Sequence, residues 1–391
     1  MKKVSILGAT GSVGVNTLDV IGRHPELFSV VALTTNQNID LLYEQCINFR
    51  PNLAVVANES LVDNFAAKFV NSQYKPELAN GNDGLNLAAS LDETDCVMAA
   101  IVGAAGLPAT LAAAKAGKNI LLANKEALVM SGDLMMKVAK QNNSQLLPID
   151  SEHNAVFQCL PLSNDRCEIE KIILTASGGP FLTKALAEFE NITPEQACAH
   201  PNWEMGKKIS VDSATMMNKG LELIEACKLF DVNVKDVEIV IHPQSIVHSL
   251  VAYPDGSVLA HMGYPDMRVP IAHALAWPQR INSGVDILNL TEIGALEFSK
   301  PDHNRFPCLQ LAYDAMSAEQ SATTVLNAAN EVAVSSFLDQ QIRFTDISSV
   351  IDATLQDIEH VVVDELNVIF EKDQQARNYA RNYIRNSLVR H

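Results

Sequence analysis

Apolar runs and helical stripes alternate along the first 150 residues. Residues 4–7 form a short apolar run ending in glycine, and Val13, Thr17, Val20 and Ile21 then fall near one helical face. Further strand-like runs occupy 30–33, 53–56, 96–100, 120–122 and 146–149, with helical stretches such as 108–116 between them. This alternation predicts a parallel sheet with helices on both faces. Ligands on such sheets bind beyond the carboxyl ends of the strands.

After residue 150 the pattern changes. Residues 169–174, 237–241, 246–252 and 257–261 read as strands. Tyr253-Pro254-Asp255-Gly256 is a turn signal that makes a hairpin of the last two. One long helix is expected from about Asp212 to Phe230. Residues 277–303 carry few periodic signals and read as a linker. From 304 onward the pattern is helical, and Arg377, Arg381 and Arg385 recur as a solvated face. The expected fold class is α/β. It comprises an N-terminal Rossmann-like dinucleotide-binding domain (1–150), a central α+β catalytic domain (151–276) with a flap near 197–208, the linker, and a C-terminal α-helical bundle (304–391).

Composition narrows the function classes. The 391 residues are 48% hydrophobic and 19% charged, enough for a sizeable core. A formal charge of −17 argues against a nucleic-acid partner, so an anionic substrate must be held by local donors. Seven cysteines without a Cys-x-x-Cys pair read as buried free thiols in a reducing compartment. Lys2 and Lys3 precede an apolar run too short for a signal peptide, and no run reaches the roughly 18 apolar residues of a membrane span. A cytoplasmic protein without membrane attachment is expected.

Gly8-Ala9-Thr10-Gly11-Ser12-Val13-Gly14 joins the first strand to the first helix. Gly8 permits a tight turn, Gly11 close approach of a pyrophosphate, and Gly14 close helix–strand packing. The helix N-terminus then offers N–H groups to phosphate. The second strand runs into Thr34-Thr35-Asn36-Gln37-Asn38, without the acid that would hold a ribose 2′-hydroxyl and without a cation for a 2′-phosphate. The motif predicts dinucleotide binding and leans toward NADP.

A carboxylate cluster follows. Ile149-Asp150-Ser151-Glu152-His153 ends the last strand of this half, and in extended chain Asp150 and Glu152 point to one side. Two carboxylates aimed at one spot need a cation or proton between them, and hard oxygen ligands suit Mg²⁺ or Mn²⁺. Glu222 is the candidate third ligand. Asn218 shares its helical face, Lys219 lies beside it, and mid-helix Gly220 suggests close approach of another group. Ser213, Asn218 and Lys219 are sensible phosphate donors, as is the Ser177-Gly178-Gly179-Pro180 loop. His200-Pro201-Asn202-Trp203-Glu204-Met205-Gly206 is a candidate lid, although core packing of Trp203 is an equal reading. Asn124-Lys125-Glu126 points toward the cofactor cleft. Among the histidines only His200 is singled out; His153, His242, His248, His261 and His273 are read as structural.

These motifs, together with Leu147-Pro148-Ile149, Ile241-His242-Pro243-Gln244-Ser245 and Leu326-Asn327-Ala328-Ala329-Asn330-Glu331, resemble in order the signature blocks of the 1-deoxy-D-xylulose 5-phosphate reductoisomerase family. The block from Lys208 to Glu222 is the most specific. The resemblance implies a homodimeric enzyme that rearranges a sugar phosphate, by retro-aldol cleavage and re-addition, and reduces the resulting aldehyde with NADPH. The product would be 2-C-methyl-D-erythritol 4-phosphate, on the non-mevalonate route to isoprenoids. It implies Asp150, Glu152 and Glu222 as metal ligands, and Lys125, Glu152, His200 and Glu222 as catalytic residues. Substrate would meet Lys125, Ser151, Glu152, Ser177, His200, Trp203, Ser213, Asn218, Lys219 and Glu222. Cofactor would meet Thr10, Gly11, Ser12, Val13, Asn36, Gln37, Asn38, Asn124, Glu126 and Gly206.

One departure stands out: the family often carries Gly-Lys-Asn where this chain has Asn36-Gln37-Asn38, which weakens the expected preference for NADPH over NADH. Rival readings lack their own signatures. No cysteine sits in the loop an aspartate-semialdehyde dehydrogenase needs, and no tyrosine is followed by lysine at the fourth position, as short-chain dehydrogenases require. A non-catalytic NADP sensor would have no reason to assemble three carboxylates beside phosphate donors.

Overall fold

The computed structural model describes residues 1–161, 169–200, 203, 206–318 and 321–388. They form two compact units, each built from three stretches of chain. One takes Met1–Ala127, Met135–Asn154 and Asp266–Asp286; the other takes Leu128–Leu134, Ala155–Pro265 and Ile287–His391. The stretch read as a linker is thus divided, its first ten residues falling in the first unit.

The first unit holds a seven-stranded, wholly parallel sheet. Its strands are β1 (Lys2–Leu7), β2 (Phe28–Thr35), β3 (Leu53–Val56), β4 (Glu77–Asn80), β5 (Cys96–Ala99), β6 (Asn119–Leu122) and β7 (Leu146–Pro148). Their order is β4-β3-β2-β1-β5-β6-β7. The sequence of connections reverses direction beside β1, which opens a crevice at its carboxyl end. The apolar runs of β1, β3 and β5 are buried because helices cover both faces. Helix Arg268–Ala276, more than a hundred residues downstream of β7, packs on β6, β7 and helix Ser12–Arg23. The Lys2 ammonium donates to the carbonyls of Leu275 (3.0 Å) and Trp277 (2.9 Å), which binds this late helix to the start of the first strand.

The second unit has a four-stranded mixed sheet of β8 (Lys171–Ala176), β9 (Val237–Ile241), β10 (Val247–Ala252) and β11 (Val258–Met262), ordered β11-β10-β8-β9. The expected hairpin is present: β10 and β11 pair antiparallel, and Gly256 takes a φ of 87° in the turn. Helices Pro307–Ser317, Ser321–Leu338, Asp346–Asp357 and Leu366–Tyr383 make up the helical stretch after 304. Phe181, Phe189, Phe337 and Phe344 meet edge-on or tilted at 5.3–6.1 Å in its core. Arg377 departs from the solvated face expected of it. It is partly buried and pairs with Glu331 (2.6 Å) and Asp373 (2.7 Å), whereas Arg381 and Arg385 are exposed.

Two expectations about local structure are corrected. The helix expected from 212 to 230 is two helices, Lys207–Ala214 and Met217–Phe230, separated by Met216 at φ 60°. The strand expected through 149 ends at Pro148, and Ser151–Cys159 is a helix. No helix among the described residues is long and apolar enough to cross a membrane.

Candidate active site

In the first unit, the glycine-rich turn lies at the carboxyl end of β1. A Cβ on Gly14 would run into the Gly8 carbonyl, so helix and turn pack closer than any other residue allows. Helix Ser12–Arg23 starts after Gly11 without a side-chain cap, leaving first-turn N–H groups directed outward. Thr10, Gly11, Ser12 and Val13 line this turn, and the Thr10 hydroxyl is bonded to that of Thr35 at 2.7 Å. Asn36, Gln37 and Asn38 follow β2 and are exposed. Asn38 caps the next helix by accepting from Leu41 N (3.1 Å), and Gln37 accepts from the Asn58 amide (3.4 Å). Three neutral amides therefore stand where an acid or a cation would set nucleotide preference.

Asn124 is buried and its side chain is committed to the protein: Oδ1 caps helix Lys125–Gln141 at Ala127 N, and the amide donates to Gly103 O, both at 3.0 Å. Glu126 is likewise buried. Lys125 opens the same helix and its ammonium lies 2.6 Å from Asp150.

Asp150 and Glu152 do not share a face through strand alternation. The Asp150 carbonyl accepts from Asn154 N at 2.8 Å, so Asp150 is the residue that starts helix Ser151–Cys159, and Ser151 and Glu152 occupy its first turn. The Ser151 hydroxyl donates to Glu152. Burial pushes the Asp150 carboxyl up, but the Lys125 ammonium and His153, whose Nδ1 lies 3.7 Å away, outweigh it and hold the group well below the usual carboxylate range. Asp150 is thus an anionic oxygen donor at neutral pH. His153, read from the sequence as structural, supports it directly; its position three residues after Asp150 was the available signal. His273 is structural as expected: its Nδ1 meets the Asn154 amide at 3.2 Å, and burial, with the Arg280 charge, pushes it down to about 4.

In the second unit, the Ser177–Pro180 loop follows β8. Ser177 Oγ accepts from Gly179 N (3.2 Å) and lies 3.0 Å from His200 Nε2. His200 Nδ1 accepts from Trp203 N at 3.0 Å, which places the proton of a neutral ring on Nε2, facing Ser177. The Trp203 ring meets His248 edge-on at 6.3 Å, so His248 also belongs to this neighbourhood. Gly206 precedes helix Lys207–Ala214 as its N-cap. Pro201, Asn202, Glu204 and Met205 of the expected lid lie outside the described residues. Ser213 lies in the last turn of the same helix, and Asn218 and Lys219 both bond Glu222 from one turn away. Glu222 is only 1% exposed. A Cβ on Gly220 would stand 2.5 Å from Ala312 Cβ, the close approach the mid-helix glycine predicted. His242 is structural: its Nε2 accepts from Ile246 N and Val247 N, and its Nδ1 meets Glu297 O.

Comparisons with known proteins agree over nearly the whole chain. Residues 4–132 match the family model described as 1-deoxy-D-xylulose 5-phosphate reductoisomerase, and residues 146–230 and 262–379 match two models of that enzyme's C-terminal domains. The 1-deoxy-D-xylulose 5-phosphate reductoisomerase of Nitrosococcus oceani is 54% identical, covering 97% of this chain and 98% of its own. A crystal structure of DOX-P reductoisomerase in complex with NADPH, fosmidomycin and magnesium superposes with a TM-score of 0.95 at 46% identity, covering 98% of each chain. The enzyme from Zymomonas mobilis in complex with NADPH gives 0.93 at 46% identity, covering 99% of this chain and all of that one.

Proposed function

The chain belongs to the 1-deoxy-D-xylulose 5-phosphate reductoisomerase family, and from that premise we propose how its residues carry the reaction. It is an NADPH-dependent oxidoreductase acting on 1-deoxy-D-xylulose 5-phosphate with a divalent cation. The residues present fit both groups. The tight Gly8–Gly14 turn and the outward N–H groups of helix Ser12–Arg23 suit a pyrophosphate. Carboxylate oxygens, one of them held ionised by Lys125 and His153, suit Mg²⁺ or equally Mn²⁺.

When bound, the cation supplies Lewis acidity toward adjacent carbonyl and hydroxyl oxygens, and the reduced nicotinamide supplies a hydride. Asp150, Glu152 and Glu222 are assigned to hold the cation. Lys125 keeps Asp150 anionic and, with Ser151, orients the substrate hydroxyls during retro-aldol cleavage and re-addition. Ser177, Ser213, Asn218 and Lys219 are assigned to the phosphate, with the Lys219 ammonium opposing its charge inside an acidic chain. His200 presents its Nε2 proton at Ser177, and Trp203 covers the substrate so that the reactive aldehyde is kept from water. Asn124 and Glu126 are assigned to the cofactor side, where Asn124 holds the backbone.

The observation that supports this reading is the chemistry found within each unit by itself: an ionised carboxylate beside a lysine in the first, and hydroxyl, amide and ammonium donors around a buried glutamate in the second. A homodimer is part of the proposal. β11 is an edge strand whose Val258 and Leu259 are each 50% exposed, and Ile287 is 94% exposed, so a second copy gives them cover. A reducing, cytoplasmic setting accords with the six free cysteines among the described residues, four of them with thiols pushed up to about 12 by burial. The test is loss of reduced-nicotinamide absorbance with 1-deoxy-D-xylulose 5-phosphate, with and without Mg²⁺ or Mn²⁺. Metal-dependent oxidation of NADPH is the expected result; folded protein that binds NADPH but turns nothing over would sink the assignment.

A further inference from the structure

We propose that Asn330, on a helix remote in sequence from every residue assigned above, is a positioning residue for the phosphate-binding turn at Ser213; the role rests on the phosphate reading of the previous subsection. Asn330 lies on helix Ser321–Leu338 and is fully buried. Its amide donates to Asp212 Oδ1 at 2.8 Å, across 118 residues of sequence. Asp212 is 1% exposed, and its other oxygen faces Lys208 Nζ at 2.8 Å. A buried carboxylate that accepts from an amide at one oxygen and is ion-paired with an ammonium at the other is oriented by both. Ser213 is the next residue.

The turn after Asp212 is held at every step. Thr215 Oγ1 donates to the Asp212 carbonyl (3.2 Å) and accepts from Met217 N (3.3 Å), while Met216 between them sits at φ 60°. A methionine persists in that region only when its surroundings dictate it. On the opposite side Gly179 takes φ 67°, and a Cβ there would stand 2.7 Å from the Ser213 carbonyl. Ser213 is therefore clamped between the Ser177–Pro180 loop and the Asp212–Asn330 hydrogen bond. Helix Met217–Phe230, with Asn218 and Lys219 in its first turn, starts immediately beyond.

Ordinary core packing does not account for Asn330. Its Oδ1 has no hydrogen-bond partner among the described residues. A leucine would fill similar volume without burying an unsatisfied acceptor. What the amide supplies there is the bond to Asp212.

The experiment uses the full-length protein. It measures KM for 1-deoxy-D-xylulose 5-phosphate, inhibition by inorganic phosphate, and NADPH affinity by fluorescence. Asn330→Leu should raise KM and weaken phosphate inhibition about ten-fold, the scale of one lost hydrogen bond to a charged group, with kcat and NADPH affinity little changed. Asn330→Asp, which sets two carboxylates face to face, should be worse. The exchange Asp212→Asn with Asn330→Asp restores one amide–carboxylate bond at constant charge and should recover most of the phosphate affinity. This rescue decides the matter even where Asn330→Leu fails to fold. Unchanged phosphate affinity in Asn330→Leu, equal loosening of NADPH, or an exchange no better than Asn330→Asp alone overturns the proposal while leaving wild-type turnover intact. Absence of wild-type turnover instead overturns the reductoisomerase reading beneath it.

Discussion

Replacing Gly220 by alanine sets two effects of known size against each other. Alanine is favoured in a helix interior by about 1 kcal/mol. The new methyl, however, would stand 2.5 Å from Ala312 Cβ on helix Pro307–Ser317, where carbon atoms settle at about 3.5–4.0 Å. The two helices must part by roughly 1–1.5 Å, because the obstacle is a methyl fixed to backbone and no side chain can swing away. Overpacking of this kind costs about 1–3 kcal/mol, so with the helix gain subtracted Gly220→Ala should be destabilised by up to about 2 kcal/mol. Glu222, two residues on and assigned above to the cation, moves with the helix, and a displacement of about 1 Å in such a group can cost about 100-fold in kcat/KM. The assay is urea unfolding by circular dichroism beside steady-state kinetics, for Gly220→Ala, Ala312→Gly and the pair. Ala312→Gly alone loses a buried methyl and some helix propensity. The pair merely carries the methyl across the interface, so its loss should fall short of the summed singles by more than about 1 kcal/mol. A Gly220→Ala protein more stable than the parent, or single effects that simply add, would refute the argument.

Three further outcomes follow from the same geometry. Glu222→Gln should lower metal-dependent turnover by more than about 100-fold, the scale reached by losing even an outer partner of a metal ligand; NADPH titration should show cofactor binding unaffected. Gln37→Lys places a cation among the exposed amides after β2 and should tighten NADPH over NADH by about ten-fold, an effect that fades with added salt; parallel titrations of the two nucleotides read it directly. His273 is neutral in the fold, pushed down to about 4 from 6.5, while the unfolded chain takes up a proton below 6.5. Stability is therefore full above about pH 6.5 and falls by about 3 kcal/mol as pH drops toward 4; His273→Gln should remove that part of the slope in thermal melts recorded across the range.

The sequence made much of this fold legible, for reasons visible in particular elements. β3 and β9 match their apolar runs residue for residue; Asp236 and His242-Pro243 bound β9, and Asn52 precedes β3. β4 was missed: it is an edge strand, Glu77-Leu78-Ala79-Asn80, half exposed and without a continuous apolar run. The helix beginning at Ser151 was missed although Asp150 and Glu152 are a fair N-terminal signal, since the strand before it invited extension. The break at Met216 leaves no signal of its own kind, because a methionine is not a residue that announces a left-handed turn. Within the site, the Asn218–Lys219–Glu222 grouping follows from helical spacing alone. The Asp212–Asn330 bond joins residues 118 apart and is invisible to any local pattern.

The split ancestry of the first unit has a consequence for synthesis. Lys2 is synthesised well before the two carbonyls that receive its ammonium, which lie 273 and 275 residues downstream. At about 5–20 residues per second, roughly 15–55 s pass before those acceptors exist. Throughout that interval β6 and β7 lack the helix Arg268–Ala276 that packs on them. A chain stalled or cleaved before residue 268 is accordingly no free-standing cofactor-binding module. It is an open sheet with an uncovered apolar face, the kind of intermediate that chaperones hold and proteases clear.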